Sequence, residues 1–212
     1  MNPSKRTLGV FWLAAASSLA ACGGGGDTAA PAPPTAGSPA PTPTPSPTPA
    51  PPTASPTPGP GVAGTRATCG LANFEADLMA RINAQRASGA SCGAEGSFPA
   101  AAALSWNAAL TQASLVHSDD MMALNFFSHT GSNGSSAGQR ATNAGYVWQT
   151  WGENIAAGQP TVNSVMDAWV ASPGHCANLM NARFRDIGLA CVSGSANNTY
   201  RSYWTMTLGT AR

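Results

Sequence analysis

A histidine and a cysteine stand side by side in the stretch "WVASPGHCANLM", Trp169 to Met180, where a helix is expected to begin. Ser172 fits the N-cap and Pro173 the first helical position, which puts His175 in the first turn. The positive end of a helix dipole disfavours an imidazolium, so His175 is expected to stay neutral, able to bind a metal or accept a proton. Cys176 could ligate the same metal, attack a substrate or close a disulfide. Adjacent helical residues point about 100° apart and rarely serve one site. An exported chain with an even number of domain cysteines favours the disulfide, so Cys176 reads as structural.

Other reactive residue types are less well placed. Serines surround His129 in "SHTGSNGSS", but the G-x-S-x-G elbow is missing and no Asp-His-Ser arrangement is visible. His117 falls on an apolar helical stripe and reads as a core histidine. The adjacent acids of "HSDD" read as a solvated or capped turn before they read as calcium ligands. Trp148 and Trp151 read as packing residues first and stacking residues second.

Five helical segments and a strand-rich tail must position these groups. "NFEADLMARINAQRASG" carries Phe74, Leu78 and Ile82 four apart, with Asn73 as cap and Gly89 as stop. "LSWNAALTQASLVHSDDMMALNFF" reads as one longer helix with Leu110, Ser114, His117 and Met121 on one side. "SAGQRATNAG" is a short third helix, and "TVNSVMDAWVAS" is a fourth, with Val162, Val165, Met166 and Trp169 together. A fifth begins at Ser172. "IGLACVS" and "TYRSYWTMTLGT" are β-branched and aromatic, and the turn chemistry of "SGSANN" between them predicts an antiparallel hairpin. The expected class is α+β, with helices packed on both faces of a small, mainly antiparallel sheet.

The N-terminus speaks to compartment. Lys5 and Arg6 precede the apolar run Leu8 to Ala21, a signal-peptide pattern too short for a comfortable membrane span. It ends in "LAAC", Leu19 to Cys22, which resembles the lipobox of bacterial lipoproteins and implies cleavage before Cys22 and lipidation there. Gly23 follows in place of an Asp, so outer-membrane or cell-surface anchoring is expected. Residues 1–21 are then the signal, 22–65 a lipidated cysteine with a Pro/Thr/Ala-rich linker, and 66–212 one domain. That domain holds eight arginines, no lysine and eight acidic residues, so its formal charge is zero. No basic stripe is available for phosphates, which argues against a nucleic-acid partner, and none is expected. The membrane is expected to be met only through the lipid anchor, and the protein is expected to be a monomer. Of the three pairings open to Cys69, Cys92, Cys176 and Cys191, Cys69–Cys92 and Cys176–Cys191 are favoured. Each would close a short loop and add about 3 kcal/mol.

Three segments follow in order: "FFSHTGSNG" with His129, "WGENIAAG" with Glu153 and "WVASPGH" with His175, and "YWTMTLG" comes after them. This ordered set, from about Phe74 to Gly209, resembles the CAP superfamily, also called the SCP-like domain, and most of all its bacterial branch. The resemblance implies an α–β–α sandwich with an open cleft, which in many eukaryotic members holds two histidines and two acids and in some binds zinc or another divalent cation. Carried over position by position, it assigns His129, Glu153 and His175 to the cleft. The second acid, three residues after the helix tryptophan, is replaced here by Ser172. Two neutral imidazoles and one carboxylate could supply three metal ligands and leave a position for water. Losing one carboxylate weakens either a metal site or an acid–base pair, and a purely structural polar cluster is the third reading. The expected function is a surface-tethered, non-enzymatic binding domain for a lipid-like or cell-envelope ligand. The alternatives are a metal-dependent or serine-type hydrolase acting on peptides or envelope polymers, and an adhesion module.

Overall fold

The computed structural model describes residues 63–212. The expectations for the signal segment, for Cys22 and for nearly all of the linker lie outside the described residues. A short helix α1 (Ala63–Arg66) leads into α2 (Phe74–Ser88), a small hairpin of β1 (Ala90–Ser91) and β2 (Ser97–Phe98), then β3 (Ser105–Trp106), α3 (Ala108–Ala123) and α4 (Ala137–Asn143). The chain continues through β4 (Trp148–Ala157), α5 (Val162–Ala171), α6 (Pro173–Met180), β5 (Asp186–Ser193) and β6 (Ser202–Ala211).

The main sheet has the order β3-β5-β6-β4. β6 pairs antiparallel with β5 and β4, as the hairpin pattern predicts, while β3 runs parallel to β5. Alternation along β6 sends Trp204, Met206 and Leu208 into the large core with Phe74, Leu78, Val165 and Trp169. The other face sends Thr205 and Thr207 towards α3, where they bond Ser118 and Ser114. Because helices cover both faces, β6 is buried from Ser202 to Gly209, where a one-sided strand would alternate. The layers are α2, α5 and α6, then the sheet, then α3 and α4: the expected α–β–α sandwich.

α3 lies so close to β5 that a Cβ on Gly188 would collide with the backbone at Thr111 and Leu110. Its start differs from the sequence expectation. Leu104 to Trp106 stay extended, because Ser105 and Trp106 pair with Asp186 and Ile187. Asn107 then caps the helix, its side chain accepting from the N–H groups of Ala109 and Leu110. At the other end Asn125, at φ 52°, turns the chain out before Phe126 and Phe127.

The cysteine pairing is the main correction. The bridges are Cys69–Cys191 and Cys92–Cys176, not Cys69–Cys92 and Cys176–Cys191. After α2, Gly89 at φ 73° turns the chain into the β1–β2 hairpin, which seats Cys92 among Cys176 and Met180. Upstream, a parallel bridge between Thr68 and Cys191 lays the segment after α1 along β5. Both crosslinks are therefore long-range, spanning 122 and 84 residues. Non-reducing peptide mapping should recover these two bridges and no free thiol in residues 66–212; a Cys69–Cys92 peptide would contradict the fold.

Candidate functional site

His129 sits in the loop between α3 and α4, and that loop is pinned at several points. The buried His117 of α3 donates from Nε2 to the Ser128 carbonyl at 2.9 Å. Asp120 accepts from the backbone N–H and the hydroxyl of Ser132, at 2.8 and 2.7 Å. Arg140 of α4 donates to the Ser135 carbonyl at 2.7 Å and to the His129 carbonyl at 3.0 Å. α4 itself is fixed by a capping box between Ser136 and Gln139. A short, serine- and glycine-rich loop thus presents one imidazole in a set place.

Glu153 comes from the edge strand β4 and points to the same spot. One carboxylate oxygen accepts from Arg140 at 2.6 Å, the other from His129 Nδ1 at 2.8 Å. Because a carboxylate only accepts, His129 carries its proton on Nδ1, and Nε2 is left as the cleft-facing group. The His129 side chain is 58% exposed and that of Glu153 only 3%. Burial alone would raise the Glu153 pKa, but the His129 hydrogen bond and the Arg140 charge overcome it and hold the carboxyl below its ordinary value.

α6 supplies the opposite wall. Gly152 leaves room for it: a Cβ there would strike Asn178 and Phe184. Asn154 donates to the His175 carbonyl at 3.0 Å and accepts from Asn178 at 2.8 Å, clamping α6 to β4. The fully buried Arg86 of α2 holds the far end of α6, donating to the carbonyls of Leu179 and Asn181 at 2.7 and 3.1 Å. These contacts put the half-buried His175 in the first turn of α6, as expected. Burial first, and the neighbouring His129 second, lower its pKa, so it is neutral at pH 7. Between the walls lies an open cleft of about 700 Å³, lined by His129, Glu153, Asn154, His175 and Asn178, with Phe98 and Met180 as apolar patches.

Three of the four expected cleft residues therefore converge. Ser172 does not: it lines a neighbouring groove, not the cleft. Its hydroxyl makes no capping bond either; its carbonyl starts α6 by accepting from the Cys176 N–H. The expected metal set of His129, His175 and Glu153 does not assemble. Among the described residues no three His, Cys, Asp or Glu side chains converge as a metal ion requires, and both Glu153 oxygens are committed to protein donors. The donor set does not fit a resident zinc. Sequence reading missed Arg140, whose burial beside Glu153 decides the chemistry of the site. Its one signal was an arginine in a helix with no acid nearby in sequence.

The same groups set the acid response. His117 is pushed down by burial, against the opposing pull of Glu153. His117 and His175 thus bind fewer protons folded than unfolded, so stability is lost as pH falls through the unfolded value near 6.5. Glu153, also depressed, adds a second loss as pH falls below its unfolded value. Urea midpoints should be flat above about pH 7, lower at pH 5.5 and lower again at pH 4. His117→Phe should flatten the first decline, and an unchanged slope would contradict the assignment.

Comparison with known proteins places these features in a group. The model of the cysteine-rich secretory protein family, CAP, matches residues 79–208. The uncharacterized protein YkwD of Bacillus subtilis is 38% identical over 87 residues, which are 41% of this chain and 34% of that protein. The chain thus spans about a third of the length of that relative. An extracellular protein with an SCP domain from Bacillus anthracis is 28% identical, with a TM-score of 0.45, over 51% of this chain and 34% of that one. An outer surface protein of Borrelia burgdorferi is 21% identical, with a TM-score of 0.47, over 51% of this chain and 78% of that one.

Proposed function

Because the chain belongs to the cysteine-rich secretory protein (CAP) family, we propose that its domain is a non-enzymatic binding module of the cell envelope, tethered through Cys22, whose cleft takes a polar envelope ligand. One observation carries this reading: each oxygen of the Glu153 carboxylate already accepts from a protein donor, Arg140 on one and His129 on the other. Buried between those donors and with its pKa lowered, the carboxylate is a poor general base. It acts as an anchor that fixes the tautomer and aim of His129. The groups left free to meet a ligand include His129 Nε2, the His175 ring and the Arg183 guanidinium at the cleft wall.

Hydrolysis has less support. The four domain cysteines are bridged. Among the described residues no serine hydroxyl bonds a histidine ring; the ring contacts are Glu153 for His129 and the Ser128 carbonyl for His117. The sequence reading expects a lipid-like or cell-envelope ligand; the amides and imidazoles of the cleft favour a polar envelope component over a lipid. Two long-range disulfides suit an oxidising compartment, which agrees with export.

The lipid anchor gives its own prediction. Cys22→Ser should release the protein from membranes, and unchanged membrane retention would remove the anchor from this account. The soluble Cys22→Ser chain then tests the cleft. It should co-sediment with protein-stripped envelope fractions and release no soluble fragments. His129→Ala/His175→Ala should reduce that retention at least tenfold, about the loss of one or two ligand hydrogen bonds. Equal retention of the double variant would contradict the proposal.

A further inference from the structure

His175 has two sides. The residue lines the cleft and also a second groove of about 290 Å³, whose walls include Phe127, Ile155, Trp169 and Tyr200. Phe127 and Tyr200 stand at the mouth with ring centroids 5.9 Å apart and planes tilted by 58°. They remain 45% and 36% exposed, large rings that the core has left unused.

No charged side chain lines this groove, and His175 is held neutral by burial. Polar groups without partners do line it. Gln159 Oε1 is shielded from water and bonds nothing, and the Ser172 hydroxyl, freed from capping, makes no cap bond. Gln159 is held by its backbone instead: its carbonyl accepts from the Ser202 hydroxyl at 2.8 Å and the Trp204 indole at 2.9 Å. Turning its side-chain amide towards the groove breaks no hydrogen bond.

These features select one ligand chemistry. An anion or a cation would find no counter-charge in the walls. An aliphatic chain would desolvate the Ser172 hydroxyl and bring no donor to Gln159 Oε1, which would stay unpaired. A neutral ring with an apolar C–H face and hydroxyl or amide donors on its edge satisfies both the aromatic mouth and the orphaned acceptors. We infer that the groove is a subsite for a neutral saccharide unit, and that a glycan passing over His175 fills groove and cleft together. The inference rests on the binding reading of the cleft and names the class of ligand.

The test is calorimetric titration of the full Cys22→Ser chain with cellotriose, maltotriose and tri-N-acetylchitotriose, with decanoate as the apolar comparison. At least one trisaccharide should bind, with its ring C–H protons receiving saturation from the protein by NMR. Tyr200→Ala should weaken binding about tenfold through lost stacking. Gln159→Leu should weaken it about three- to tenfold through the lost acceptor. Tyr200→Phe, which keeps the ring, should stay within about threefold of the parent and shows that the site still folds. No binding of any trisaccharide, binding of decanoate alone, or trisaccharide binding indifferent to Tyr200→Ala and Gln159→Leu each overturns the proposal. If His129→Ala abolishes sugar binding while the two groove variants keep it, the cleft stands and the groove falls. The reverse pattern keeps the groove and removes the cleft from the ligand path.

Discussion

Replacing Arg140 with methionine is expected to destabilise the domain by about 3–5 kcal/mol, because it leaves the Glu153 carboxylate buried without its cation. The Arg140 and Glu153 side chains are only 5% and 3% exposed, so water cannot take the place of the missing partner. The same change frees the carbonyls of Ser135 and His129, which loosens the loop that aims the imidazole. Arg140→Met/Glu153→Gln should recover part of the loss, since the residual amide carries no charge into the interior. Urea unfolding of the three variants measures both effects. A loss below about 1 kcal/mol for Arg140→Met would be the value of an exposed pair and would contradict the burial of this one.

Removing either disulfide is the second large effect. Loop closure over 122 or 84 residues corresponds to about 4.5–5 kcal/mol of unfolded-state entropy for each bridge, against about 3 for the short loops expected from sequence. Cys69→Ala/Cys191→Ala frees the N-terminal segment from β5. Cys92→Ala/Cys176→Ala frees the β1–β2 hairpin from α6, beside His175. The second pair should therefore lower both stability and ligand retention, the first mainly stability. Losses near 1 kcal/mol for both would mean that the unfolded chain is already constrained, or that the bridges are not as described.

The contrast between the two bridges and the helices shows what sequence could reveal. Phe74, Leu78 and Ile82 fall on one stripe because helical periodicity is local, and all three lie buried in one core. The β5–β6 hairpin was legible for the same reason. The disulfide pairing was not: it depends on a left-handed turn at Gly89 and on the Thr68 bridge to Cys191, contacts between residues far apart in sequence. Nor was β3, two residues long and set off from an apolar helix by Asn107 alone; only its parallel partner makes it a strand. At the site, the structure brings His129, Glu153 and His175, the residues of the ordered motifs, to one cleft. Their chemistry turned on Arg140, and a buried arginine reads in sequence like any solvated one. Ser172 was placed at the right helix end with the wrong role, because a cap position does not reveal whether its hydroxyl is used.

The central claim is that Glu153 is committed to Arg140 and His129, so the cleft is a binding surface and not a metal centre. Isothermal titration of zinc into the Cys22→Ser chain and its Glu153→Gln variant tests this most directly. A site with three protein ligands would bind zinc with at least about 10 kcal/mol, a Kd of tens of nanomolar or lower. The account predicts no binding in that range for the parent and no change in Glu153→Gln. Nanomolar binding that Glu153→Gln abolishes would contradict it.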